Sequence, residues 1–145
     1  MFVLGCSVGD EEEPVKSVTQ LREELHSLET GYREKIRNDP HDAVSYIELG
    51  DVLLQQSRFD EALKAYGAAL DIDSLQARAF AGFGKVLFNR GNTDQAVVAY
   101  QKALAIDGED VETHRQLGDV HLRARRYVKA QKAYQTALDI DPEHA

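Results

Sequence analysis

The chain has 145 residues, 43% of them hydrophobic, and a formal net charge of −8 at pH 7. It is therefore long enough for one compact domain and too apolar to be disordered throughout. The negative charge repels phosphate backbones and argues against nucleic acid as a partner. A single cysteine excludes an internal disulfide and a cysteine-rich metal site, and no apolar run reaches the roughly 18 residues that suggest a transmembrane helix.

Residues 1–14 read as a flexible acidic segment ahead of the folded part. Their first residues, Met1 to Cys6, weakly resemble the end of a clipped bacterial lipoprotein signal, in which Cys6 would carry the lipid. A complete signal has a basic region and an apolar core of about 7–15 residues, which this segment lacks. Two locations stay open: the bacterial cell envelope with the membrane reached through a lipidated Cys6, or the cytoplasm.

Residues 15–38 are predicted to form one long amphipathic helix, roughly 36 Å in length at 1.5 Å per residue. Apolar residues recur along it at helical spacings: Val15, Val18, Leu21, Leu25, Leu28, Tyr32 and Ile36. Residues 43–144, described next, form helical repeats, and the end of this helix resembles the second half of a degenerate repeat. We expect the helix to cap the repeats that follow. The alternative is that its near-heptad portion, Val18 to Tyr32, pairs with a second chain as a coiled coil.

The remainder is an array of three repeats, 43–76, 77–110 and 111–144. Gly50, Gly84 and Gly118 lie 34 residues apart, and such self-similarity predicts stacked helical units. In each unit an amphipathic helix ends at a turn (near 56–58, 91–92 and 125–126) and a second follows, the first of these from about Asp60 to Ile72. The positions that recur in all three units are alanines, tyrosines and leucines: Ala62, Ala96 and Ala130; Tyr66, Tyr100 and Tyr134; Ala69, Ala103 and Ala137; Leu70, Leu104 and Leu138.

A glycine inside a helix costs about 1 kcal/mol relative to alanine, so its recurrence indicates a close helix–helix approach. We expect each glycine to pack against an alanine of the second helix of its unit. The tyrosines and leucines would then fill the space between neighbouring units.

The order of these residues, from Tyr46, Leu49 and Gly50 to Asp141-Pro142, resembles the tetratricopeptide repeat (TPR). The resemblance covers residues 43–144. It implies an all-α fold, a right-handed α-solenoid of antiparallel helix hairpins. It also implies a non-catalytic scaffold that binds a peptide or protein segment in a concave groove.

The resemblance further implies which residues face that groove. Carried onto this sequence, the family's ligand-facing positions are Val44, Ile47, Asp51, Leu54, Gln55, Arg78, Ala81, Lys85, Phe88, Asn89, Glu112, Arg115, Asp119, Leu122 and Arg123. They form an apolar row, Leu54-Phe88-Leu122, and a charged row, Asp51-Lys85-Asp119. The family's chaperone-tail binders carry lysine and asparagine where this chain has Ile47 and Asp51, so that activity is not expected.

No motif for catalysis is present. The sequence has no glycine-rich phosphate loop, no His-Glu-x-x-His pair and no recognisable nucleophile setting, so we expect neither an enzyme nor a cofactor. His114 and His121 are seven residues apart, a spacing of about 10.5 Å along a helix, too long for a shared metal. They are expected to replace core residues.

The last repeat has no further helix after it. Tyr134, Ala137 and Leu138 are therefore expected to be partly uncovered, since solenoids usually end in a capping element with a polar outer face. Either the natural chain continues or this face meets another copy. The alternative function is accordingly a self-assembling module, a homo-oligomer formed through the last helix or through the long first one. A membrane-tethered envelope lipoprotein that supports a protein complex is a further form of this alternative.

Overall fold

The computed structural model describes residues 15–143, which contain seven α-helices and no β-strand. The helices are α1 (Val18–Asn38), α2 (Ala43–Gln55), α3 (Phe59–Ile72), α4 (Ala77–Asn89), α5 (Thr93–Ile106), α6 (Val111–Arg123) and α7 (Tyr127–Ile140). None of the helices in this range is both long and apolar enough to cross a membrane. The predictions for residues 1–14, including lipidation of Cys6, lie outside the described residues.

Helix α1 begins at Val18, three residues later than the start of the predicted helix. Ser17 forms a capping box: its hydroxyl accepts from the Gln20 N–H, and the Gln20 side chain accepts from the Ser17 N–H. This exchange satisfies two donors that the first helical turn otherwise leaves free. Tyr32 and Ile36 pack against the core formed mainly by α2 and α3. That α1 serves as a cap stays a prediction.

The first half of α1 has no such neighbour. Val18, Leu21 and Leu28 are 74%, 47% and 48% exposed, whereas the side chains of α1 that contact the first hairpin, among them Tyr32, Arg33 and Ile36, lie in its second half. Pairing of this half with a second chain stays a prediction.

The other six helices form three hairpins, α2–α3, α4–α5 and α6–α7, stacked in chain order. Each hairpin turns at one residue in the left-handed conformation: Ser57 (φ 60°), Gly91 (φ 82°) and Arg125 (φ 58°). The N–H of each donates to the carbonyl three residues earlier at 2.9 Å, which ends the first helix. The predicted turns therefore lie where the spacing placed them.

The repeated glycines approach tyrosines rather than alanines, so the predicted partner is wrong. A Cβ on Gly50 would lie 2.6 Å from Tyr66 Cε1, and Gly84 and Gly118 stand in the same relation to Tyr100 and Tyr134. Each ring crosses from the second helix of its hairpin and lies against the glycine backbone of the first. The alanines are small for another reason: they are themselves buried between the helices.

The last hairpin is less open than expected. Ala137 is only 1% exposed, whereas Leu138 is 39% exposed and Tyr134 half-buried. Among the described helices α7 contacts only α6, so what is buried on α7 is buried by its own hairpin. The expectation was therefore wrong for Ala137.

His121 is a polar residue in the core of this hairpin. It is 6% exposed and its Nδ1 has no hydrogen-bond partner among the described residues, whereas the first repeat has Leu53 at this position. Burial, together with the nearby Arg126 and Lys129, lowers the pKa of His121. His114, by contrast, is half-buried and contacts the Gly108 carbonyl through Nε2 at 2.9 Å.

We expect His121→Leu to raise the free energy of unfolding by about 1 kcal/mol at pH 7, because it removes a buried polar atom that has no hydrogen-bond partner among the described residues. The increase in the free energy of unfolding from His121→Leu should be larger at pH 5. The folded pKa lies below the ordinary value of 6.5, so the unfolded state binds the proton first as the pH falls. The wild type is therefore destabilised through His121 as the pH falls from about 6.5 to the pKa of the folded state. Thermal unfolding from pH 5 to 8 measures the difference, with His41→Gln, an exposed position, as the control; equal pH slopes for wild type and His121→Leu would contradict it.

Candidate functional site

The first helices of the three hairpins lie side by side: α2 contacts α4, and α4 contacts α6. Between them is a cleft of about 170 Å³. Its lining comes from α2, α4 and α6, with one residue of α5: Leu54, Lys85, Phe88, Asn89, Tyr100, Gln116 and Asp119. The cleft lies at the middle of the predicted groove.

Two of the predicted groove residues are not on the surface. Ile47 is 1% exposed and belongs to the core around α2 and α3, and Ala81 is 9% exposed in the core around α4 and α5. Neither side chain is available to a ligand. The other predicted residues are half-buried or exposed: Val44, Asp51, Leu54, Gln55, Arg78, Lys85, Phe88, Asn89, Glu112, Arg115, Asp119, Leu122 and Arg123.

The apolar row is only partly continuous. Leu54 and Phe88 form walls of the cleft, while Leu122 stands outside it and is 50% exposed. Arg123 packs on Phe88: its guanidinium is 4.5 Å from the centre of the Phe88 ring and donates to the Phe88 carbonyl at 2.7 Å. The cation–π contact covers one side of the ring.

The charged row has a structural role in the two outer repeats. Asp51 and Asp119 accept hydrogen bonds from the hydroxyls of Tyr66 and Tyr134, each at 2.6 Å. Burial and the Asp119 carboxylate raise the pKa of Tyr134 to about 12. These bonds fix the tyrosine rings over the glycines, so both aspartates are committed to the fold as well as facing the groove.

Further ion pairs flank the cleft. Arg78 bridges Glu48 and Asp51, each at 2.9 Å, and Arg115 contacts Glu112 at 2.7 Å and Asp119 at 3.3 Å. Hydrogen bonds from Arg115 outweigh the desolvation of Glu112 and lower its pKa. Each of these four carboxylates is therefore paired with an arginine.

Sequence reasoning missed two residues of the cleft, Tyr100 and Gln116. Gln116 is 8% exposed; its Nε2 donates to Glu112, and its Oε1 has no partner among residues 15–143. The only sequence signal is that Gln116 occupies the position of Gly82 in the preceding repeat. A polar side chain at a buried repeat position is a candidate ligand contact, since buried acceptors are normally satisfied.

Comparison with known proteins agrees with the fold. A family model described as the cytochrome c-type biogenesis protein H TPR domain matches residues 12–145. The chain resembles a crystal structure of MamA at 19% identity and a TM-score of 0.73, covering 89% of this chain and 77% of that one. A MamA structure of residues 41 to the end, from Desulfovibrio magneticus RS-1, gives the same identity and TM-score over 86% and 70%. A search of curated proteins finds no match.

Proposed function

This chain belongs to the family of the cytochrome c-type biogenesis protein H TPR domain. We propose that it acts as a non-catalytic scaffold. Its surface between α2, α4 and α6 binds a segment of a partner protein. The partner is a protein that takes part in cytochrome c biogenesis, which is the process in the family's description. The TPR fold itself is that of a protein-interaction module.

The observation that carries this proposal is the cleft between the three first helices. It combines apolar walls, Leu54 and Phe88, with polar groups that the fold leaves unused, above all Gln116 Oε1. Peptide-binding grooves of helical repeats need both: apolar surface for affinity and placed polar groups for orientation.

The distribution of charge suggests a direction for the bound segment. The groove side of α2 carries the carboxylates Glu48 and Asp51, opposite Arg78 of α4. The part formed by α4 and α6 carries the cations Lys85, Arg115 and Arg123 and the carboxylates Glu112 and Asp119. A segment with basic residues at one end and acidic residues at the other would be oriented by these two fields.

The groove is tested with a pair of matched variants. Leu122 in the groove and Val98 on α5 are 50% and 52% exposed, so a glutamate at either position disturbs the fold to a similar extent. A photo-crosslinking residue at position 122 in cells first identifies the partner, and binding of that purified partner is then measured by calorimetry. We expect Leu122→Glu to weaken binding at least about tenfold, the loss of one apolar anchor. Val98→Glu should change it less than about twofold, as expected for a surface position outside the interface. Equal effects of the two variants would place the partner elsewhere.

A second candidate function is self-assembly through α1. Val18, Leu21 and Leu28 are exposed on one side of the helix, and a second copy of the same helix could cover them. Light scattering at increasing concentration tests this: a dimer that Leu21→Glu dissociates supports it, and a monomer at all concentrations opposes it.

A further inference from the structure

The central repeat lacks a hydrogen bond that both outer repeats have. The hydroxyls of Tyr66 and Tyr134 donate to Asp51 and Asp119, but Lys85 occupies the equivalent position opposite Tyr100. An ammonium group can only donate. Tyr100 is 1% exposed, yet no side chain among residues 15–143 accepts from its hydroxyl in the way that the two aspartates do.

The same place holds a buried acceptor without a donor. Gln116 is more than nine-tenths buried, lines the cleft, and gives its amide N–H to Glu112, which leaves Oε1 unpaired in the described structure. A buried polar group left in this state destabilises the fold, because it has lost its water without gaining a partner. A ligand N–H at this point would supply that partner.

Lys85 is also uncommitted. It forms no ion pair within 4 Å among residues 15–143, because the nearby Glu112 is held by two hydrogen bonds from Arg115, at 2.7 and 2.9 Å. Lys85 acts on Glu112 only at a distance, contributing to its lowered pKa. The lining of the cleft holds one cation, Lys85, and one carboxylate, Asp119. Asp119 and the neighbouring Glu112 are both paired with Arg115, so Lys85 is the charge left to attract an anion.

Resting on the function proposed above, we propose that this cleft is the specificity subsite of the groove and takes one glutamate or aspartate residue of the partner segment. The ligand carboxylate accepts from Lys85 Nζ and the Tyr100 hydroxyl, and a backbone N–H beside it donates to Gln116 Oε1. Leu54 and Phe88 contact the methylene groups of the side chain. Charged hydrogen bonds of this kind are the stronger ones.

The size of the cleft agrees with this occupant. Its volume of about 170 Å³ is roughly that of five or six water molecules at about 30 Å³ each. A glutamate side chain, with five heavy atoms beyond Cα, matches it. The proposed contacts also require a ligand that carries a carboxylate acceptor and a backbone N–H donor a few bonds apart. An acidic residue within a peptide has both groups, whereas a bare anion lacks the donor.

The test uses acetyl-glutamate methylamide as the probe and its neutral isostere, acetyl-glutamine methylamide, as the matched control. Each is titrated into the isotope-labelled full chain and followed by NMR. We expect the glutamate probe to shift the Gln116 side-chain amide and to bind about tenfold more tightly than the glutamine probe, the loss typical of one charge-assisted hydrogen bond. No binding up to the solubility limit, or equal binding of the two probes, overturns the proposal.

Two lysine variants locate the effect. Lys85→Met keeps the apolar stem but removes the charge, and it should abolish the preference for the glutamate probe. Lys64→Met, at an exposed lysine of α3, should preserve it. A preference that survives in Lys85→Met overturns the proposal; Lys85→Gln serves as a second variant that keeps the side chain polar.

The two sets of experiments distinguish failure of the acidic subsite from failure of the proposed function. If Leu122→Glu weakens partner binding while neither probe binds the cleft, the groove stands and the acidic subsite does not. If the probe binds as expected while Leu122→Glu leaves partner binding intact, the groove is not where the partner binds.

Discussion

Gly82→Ala is expected to lower the free energy of unfolding by about 2 kcal/mol, because the upper end of the usual overpacking cost, about 3 kcal/mol, exceeds the roughly 1 kcal/mol that alanine gains as the better helix former. A Cβ at this position of α4 would lie 2.4 Å from Tyr66 Cε1 and Cζ. The Tyr66 ring cannot easily move away, because it already lies against Gly50 and its hydroxyl is bonded to Asp51 at 2.6 Å. The overpacking therefore outweighs the roughly 1 kcal/mol that alanine gains in helix propensity.

At a second helical glycine, Gly31, substitution by alanine is expected to change the free energy of unfolding in the opposite direction. A Cβ added at Gly31 in α1 would meet no neighbouring atom within 4 Å, so Gly31→Ala should raise the free energy of unfolding by about 0.5–1 kcal/mol from propensity alone. Urea unfolding measures both changes. Shortening the ring partner, as in Tyr66→Leu, should relieve part of the Gly82→Ala defect, because substitutions in contact are not additive. A Gly82→Ala protein as stable as wild type would contradict the tight contact.

This glycine also shows what the sequence could and could not predict. The 34-residue spacing predicted the repeats, their turns and the start of α3 within one residue, Asp60 against the observed Phe59. It predicted a close approach at Gly50 but the wrong neighbour. Spacing determines which side chains face inward; how far each one reaches across the interface depends on its size and rotamer. Gly82, which does not recur, gave no signal at all.

The groove was predictable to a similar degree. Repeat positions identified Leu54, Lys85 and Phe88, which do line the cleft, but they also selected Ile47, which is buried. The position of a residue within the repeat predicts which face of the helix it lies on, whereas its burial depends on the residues of the neighbouring helix. The alternation of Asp51, Lys85 and Asp119 was visible in the sequence. Its consequence, a tyrosine hydroxyl without its aspartate in the central repeat, required the side-chain contacts.

The second large effect is expected at Glu29, the buried carboxylate of α1 that pairs with Arg58 of the first hairpin. Glu29 is 7% exposed; its carboxylate accepts from Arg33 at 2.9 Å, Arg58 at 2.8 Å and Gln56 at 3.2 Å. Burial alone would raise the pKa of Glu29, but the hydrogen bonds from these three side chains lower it overall. The carboxylate is therefore more stable in the folded state than in the unfolded chain.

Glu29→Gln should lower the free energy of unfolding by about 1–3 kcal/mol at pH 7. Removing one partner of a fully buried ion pair costs about 3–5 kcal/mol, and the figure here is smaller because Arg33 and Arg58 are 47% and 36% exposed and solvent screens them. Since α1 lies at one end of the stack and packs only on the first hairpin among the helices of residues 15–143, part of the loss should appear as local opening, with faster amide hydrogen exchange in α1 than in α4.

The pH dependence of this variant separates charge from shape. A carboxyl group whose folded pKa is lowered contributes its stability above the ordinary pKa of 4.5 and loses it as the pH falls through the folded value. The difference between wild type and Glu29→Gln should therefore be constant from pH 7 to about 5 and shrink in acid. Glu34→Gln, at an exposed position of the same helix, should show no such difference. A Glu29→Gln defect that persists unchanged at pH 3 would mean that the amide fails by its shape, and that the charge of Glu29 does not hold α1 in place.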